Sequence, residues 1–196
     1  MRYLDGIAWW ISNVAAPPVL ALVAAVLLAI RSSSSTAWGW AAAFGFAAVA
    51  LPTLYVVVQV KRGLISDVHV PLREQRMRPY LVTLASSTAV CGVFLWFQAP
   101  ATFRVLAVAN LVQSVLLFAI TMRWKVSMHS AAASSLSTLS LTMLGVSALS
   151  ATGMLLVATV PVIAWARIRL DRHTPAQTVA GAILGCAVMV LAVWIV

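Results

Sequence analysis

Residues 37–60 read AWGWAAAFGFAAVALPTLYVVVQV. The stretch carries no acidic or basic side chain, and it exceeds the roughly 20 apolar residues that carry an α-helix across the 30 Å hydrocarbon core of a bilayer. It is therefore read as a transmembrane helix. Working outward by the same criterion, apolar runs fall near residues 14–30, 80–98, 103–122, 130–149, 151–165 and 174–196. The expected fold class is all-α, a polytopic transmembrane helix bundle of six or seven membrane-spanning helices forming one integral membrane domain over residues 1–196. The count stays open by one because residues 130–150 are rich in Ser and Thr and the turn from Ser150 to Gly153 is very short. Small residues such as those of SAAASSLSTLS, residues 130–140, let helices pack closely in lipid, and their hydroxyls can bond back to helix carbonyls.

Composition agrees. The chain of 196 residues is 63% hydrophobic and 9% charged, against about 25% charged residues in a soluble domain. No room is left for a separate soluble domain. Residues 1–13, with Asp5, Trp9 and Trp10, lack the pattern of a cleaved signal and are expected to form a retained, interfacial N-terminus. Cys91 and Cys186 fall in apolar runs as small hydrophobes, without metal-ligand spacing.

The polar connections sort by side. Alternating at each span puts the N-terminus and the loops at 61–79, 123–129 and 166–173 together. That side gathers Arg2, Lys61, Arg62, Arg73, Arg76, Arg78, Arg123, Lys125, Arg167, Arg169 and Arg172, and leaves Arg31 and Arg104 opposite. All four acids and all three histidines, His69, His129 and His173, share the charged side. A formal charge of +9 in such a chain points to cytoplasmic loops and anionic lipid headgroups as partners, and not to nucleic acid.

Three polar segments thus converge at one membrane surface: residues 61–79, 123–130 and 165–181. Each combines histidine with Arg or Lys. Guanidinium groups match phosphate oxygens, and a histidine titrating near neutrality can attack phosphorus or pass a proton. A phosphorylated lipid is the ligand such a site implies. Taken singly, Lys61, Arg62, Arg123 and Arg172 read as side chains that snorkel to headgroups.

Within the last segment the chain reads Ala166-Arg167, five residues, His173, three residues, Gln177, then Thr178-Val179-Ala180-Gly181. Arg167 and His173 resemble the third motif of the type 2 phosphatidic acid phosphatase superfamily, whose serine and aspartate are here Ala166 and Gln177. Val126-Ser127-Met128-His129 resembles the family's Pro-Ser-Gly-His, keeping serine and histidine. The first motif, Lys, six residues, Arg-Pro, is matched in two registers, by His69 and Arg76 or by Pro71 and Arg78-Pro79. The resemblance covers roughly residues 60–185.

The resemblance implies a phosphohydrolase that needs no metal or other cofactor and works through a phosphohistidine. His173 is then the nucleophile and His129 the general acid. Arg167, Lys125 and Arg76 or Arg78 clamp the phosphoryl oxygens, with Arg73, His69 and Ser127 in the binding set. Gln177, or in its place Asp67 or Asp171, orients His173. Fixed cations suit a phosphoryl transition state, whose charge spreads over three oxygens. The expected substrate is a lipid phosphate or an isoprenyl mono- or diphosphate, in a cell membrane with the site facing the cytoplasm. Two other readings are a family member that ionises a prenyl diphosphate and one that binds lipid without turnover.

Overall fold

The computed structural model describes residues 3–68, 70 and 72–196. Arg2, His69 and the side chain of Arg73 lie outside the described part, and so does Pro71. Every regular element among the described residues is a helix: α1 (Tyr3–Val14), α2 (Pro17–Arg31), α3 (Ala37–Phe44), α4 (Leu51–Lys61), α5 (Met77–Trp96), α6 (Ala101–Thr121), α7 (Met128–Met143), α8 (Ala151–Arg169) and α9 (Pro175–Ile195). A π-helical segment, Gly45–Ala50, joins α3 to α4 without a break. Pro52, in the first turn of α4, has no N–H to complete a regular α turn, and the wider π turn absorbs that loss.

Among the described residues five helical stretches are long and apolar enough to cross a membrane, with α3 through α4 counted as one. The pair α1 and α2 adds a sixth if its two arms form one span; they are bent by 50° at Pro17 and Pro18, which open α2. α1 packs against α8 and leaves Trp9 and Trp10 exposed. One expectation changes here. The span expected at 130–149 ends at Met143, and α7 with its 16 residues is about 24 Å long, short of the hydrocarbon thickness.

α7 can be short because it faces protein. His129, Ser130, Ala131, Ala133, Ser134, Leu136, Ser137, Leu139 and Ser140 are all buried, and α2, α8 and α9 surround it. Its hydroxyls turn inward to carbonyls: Ser140 Oγ donates to Leu136 O at 2.8 Å, and Ser137 Oγ lies 2.8 Å from Leu156 O of α8. Such back-bonding lets a polar sequence sit inside a bundle.

The tightest seam runs between α7 and α9. A Cβ at Gly181 would overlap the carbonyl oxygen of Ser127, and one at Gly185 would overlap that of Ala131. The two glycines, four residues apart, present one flat face on which the α7 backbone lies directly. At the head of the seam Ser127 N donates to Gln177 O at 3.1 Å, fixing the axial register.

The seam yields a direct test. Gly185→Ala forces backbone against backbone and is expected to cost about 2 kcal/mol, a fall of roughly 5 °C in Tm for a chain of this size. Gly39 of α3 has open space around it, so Gly39→Ala should leave Tm unchanged or slightly raised. Thermal unfolding in detergent of the two variants side by side checks both.

Candidate active site at the charged end of the bundle

The end of α8 explains why a five-residue gap brings Arg167 and His173 together. Asp171 N donates to Ile168 O at 3.0 Å and Arg172 N to Arg167 O at 3.0 Å, the paired bonds of a Schellman stop. The residue that turns the chain is Asp171, with φ of 51°, a left-handed conformation that aspartate tolerates better than most non-glycine residues. The Arg167 carbonyl then accepts a second amide, His173 N at 3.3 Å. The loop is thereby folded back over the last turn of α8.

α9 begins immediately. Thr174 Oγ1 accepts from Gln177 N at 3.4 Å, and Gln177 Oε1 accepts from Thr174 N at 3.2 Å, a reciprocal capping box. Gln177 Oε1 also meets His173 Nδ1 at 3.1 Å. The amide of Thr174 can only donate, so the atom facing it is the carbonyl oxygen of Gln177. His173 Nδ1 must then carry the hydrogen of the neutral ring, leaving Nε2 with the lone pair. One glutamine both starts the helix and sets the tautomer.

His173 is held neutral. Burial first, and then the charge of Arg167, lower its pKa from 6.5 to about 4, with Lys125 adding to the repulsion; the Gln177 bond and the Lys125 backbone pull the other way. Lys125 is lowered too, by burial first and then by Arg76, Arg167 and Arg172. Its Nζ donates to Arg172 O at 2.8 Å. These mutual repulsions between fixed cations are relieved by an anion set among them.

Arg167 is 6% exposed. Its Nη1 donates to Ser12 Oγ at 2.6 Å, and its Nε is buried without a hydrogen-bond partner among the described residues. Next to it Arg169 Nε meets Asp5 Oδ1 at 2.8 Å, a partly exposed pair of small energetic weight. The N-terminal helix thus latches onto α8 through both arginines.

A cavity of about 490 Å³ opens at this end and runs inward between the helices. Arg76, Lys125, His129, Arg167, Arg172 and His173 line its polar end, and Leu20, Ala24, Phe44, Leu106, Leu136 and Met189 its interior. His129, in the first turn of α7, is buried. Ser127 is fully buried, and its Oγ accepts from Ser130 N at 3.3 Å as the cap of α7; it shapes the site and does not line the cavity. Gln177 and Asp67 are likewise off the wall, and neither Asp67 nor Asp171 figures among the charges acting on His173.

Of the two arginines that the alternative registers of the resemblance offered, Arg76 is the one at the cavity. Its Nε donates to Val70 O at 3.0 Å and it lines the cavity, whereas Arg78 is exposed and does not. His69, the other half of the Arg76 register, lies outside the described residues, as does the side chain of Arg73. Sequence reasoning missed Ser12, Arg172 and Tyr80. Tyr80 lines the cavity, its hydroxyl 3.2 Å from Thr121 Oγ1 and 3.4 Å from Met128 Sδ. The available signal for Ser12 was its place two helical turns after Asp5, on the same face of α1.

Because the His173 ring titrates near 6.5 in an unfolded chain and near 4 here, the unfolded state binds the extra proton between those values. Stability should fall as pH drops from 6.5 toward 4 and should not respond to this group above 6.5. Ring-proton NMR of His173 should give a midpoint near 4, moving upward in Lys125→Met, which removes a like charge; a midpoint near 6.5 in the unaltered protein would contradict the burial described. No protein-family model, no curated protein and no solved structure matches this chain.

Proposed function

We propose that the chain is a membrane-embedded phosphatase that hydrolyses a lipid phosphate or isoprenyl mono- or diphosphate through a phosphohistidine intermediate. One observation carries this reading: a neutral histidine, its tautomer fixed by Gln177, stands among the cations Arg167, Lys125, Arg76 and Arg172 at the polar end of an otherwise apolar cavity. Cationic donors complement the three oxygens of a phosphoryl group, and the apolar interior complements its tail.

In the proposed reaction the His173 Nε2 lone pair attacks phosphorus and the bond from phosphorus to the lipid oxygen breaks. As general acid, His129 gives a proton to that oxygen, releasing the lipid alcohol, or the lipid monophosphate from a diphosphate. His129 then regains a proton from water as the water oxygen attacks the phosphohistidine. Inorganic phosphate leaves, and both rings return to their starting states. Arg167, anchored by Ser12, and Lys125, anchored by the Arg172 carbonyl, hold their positions while charge builds on the phosphoryl oxygens. The positive-inside rule favours a cytoplasmic position for this end of the bundle.

Gln177 differs from a carboxylate in one respect. It accepts the Nδ1 hydrogen but brings no negative charge to stabilise an imidazolium. That property favours a second reading, a lipid-phosphate binder without turnover, and the same assay separates the two.

Phosphate and pyrophosphate release is measured for the purified protein in detergent with EDTA, from phosphatidic acid, phosphatidylglycerol phosphate and isoprenyl mono- and diphosphates. The expected result is phosphate release that His173→Ala abolishes with Tm preserved. Undiminished release in that variant, or pyrophosphate alone, overturns the proposal; tight binding without release selects the second reading. Gln177→Glu keeps the side-chain length of the capping box and adds a charge, so it should raise the His173 pKa and move the acid limb of the pH profile upward from its position near pH 4.

A further inference from the structure

The interior of the cavity is not uniformly apolar. On α6 the residues facing it recur every three to four positions, and among Leu106, Leu117 and their neighbours stand two amides, Asn110 and Gln113. Both lie near the middle of a helix long enough to cross the membrane, where an unsatisfied polar group is costly. Each spends part of its hydrogen-bonding capacity on the protein. Asn110 Nδ2 donates to Ser87 Oγ of α5 at 2.8 Å, and Gln113 Oε1 accepts from Ser135 Oγ of α7 at 2.7 Å.

The remaining capacity is complementary. The Asn110 carbonyl oxygen and the Gln113 amide hydrogens have no protein partner among the described residues, and both side chains line the cavity. One turn of α6 therefore offers an acceptor beside a donor. A hydrocarbon satisfies neither and a carbonyl satisfies the donor alone, whereas a hydroxyl satisfies both at once.

We propose that Asn110 and Gln113 form a second subsite that binds a hydroxyl carried on the chain of a single-chain lipid phosphate. The inference rests on the phosphate-binding reading of the polar end. A cavity of about 490 Å³ lies in the range that encloses one drug-sized molecule, which suits one chain. Depth sets where the hydroxyl must be. Thr121 at the end of α6 meets Tyr80, whose hydroxyl touches Met128 beside His129. From Thr121, Gln113 and Asn110 lie about 12 and 16 Å down the helix. An extended chain advances about 3.5 Å per three bonds, so the hydroxyl sits roughly a dozen bonds from the phosphate.

The test compares a straight alkyl phosphate of about twelve carbons with its terminal-hydroxyl analogue, by ligand-induced thermal stabilisation of the full chain in detergent and by phosphate release in the same samples. The hydroxylated compound should bind about tenfold tighter, and Asn110→Leu and Gln113→Met should each bring that ratio close to one. Equal affinity in the unaltered protein, as when a water bridges the amides, overturns the subsite, and so does a ratio that survives both substitutions. Should Asn110→Leu fail to fold through loss of its Ser87 bond, Gln113→Met and the unaltered protein decide. A hydroxyl preference without turnover upholds the subsite and overturns hydrolysis; turnover with equal affinity does the reverse, and binding of neither compound overturns both.

Discussion

The contact of α7 with α9 across Gly181 and Gly185 sets where both histidines stand. His129 opens α7, His173 immediately precedes α9, and the bond from Ser127 N to Gln177 O ties the two helix starts at one level. In a bilayer no hydrophobic force presses helices together, since lipid is as apolar as the side chains. Close approach must come from shape and from hydrogen bonds. Glycine provides the shape, and the inward-turned serines of α7 provide bonds that remain satisfied in the absence of water.

The polar end follows from that seam. Once α7 and α9 are level, the Schellman stop at Asp171 folds His173 back over Arg167, and the capping glutamine holds the ring. The result gathers like charges at partly buried positions: Arg76, Arg167 and Arg172 all act on Lys125. Such a cluster costs stability, and the bond from Arg167 to Ser12 of α1 offsets some of that cost. Strain of this kind is characteristic of sites arranged for a ligand of opposite charge.

Much of this was legible in the sequence and some was not. The sidedness of charge could be read because Lys and Arg cannot be left in hydrocarbon, so their positions mark the helix ends. Arg167 and His173 were singled out by a resemblance in their spacing, and the helix stop at Asp171 that brings them together is visible only in the structure. The length of α7 could not, since hydropathy counts apolar residues and does not know that a helix wrapped by protein is freed from spanning the bilayer. Nor could the packing of α1, because the partner that binds Ser12 lies 155 positions away. The choice between Arg76 and Arg78 needed coordinates, because two residues on one helical turn face different ways. Asn110 and Gln113 passed unnoticed in an apolar run whose average hydropathy conceals single amides.

α7 and α9 both begin at the polar end, α7 behind Ser127 and α9 behind Thr174. Each presents the positive pole of its backbone dipole there, roughly half an elementary charge. Together with the side-chain cations they make a potential well for any phosphate, with or without a tail. For the reaction proposed above, the well that captures a lipid headgroup also retains the inorganic phosphate cut from it. A field built for capture thus opposes departure as well, so any phosphate that binds there leaves against the same attraction that drew it in.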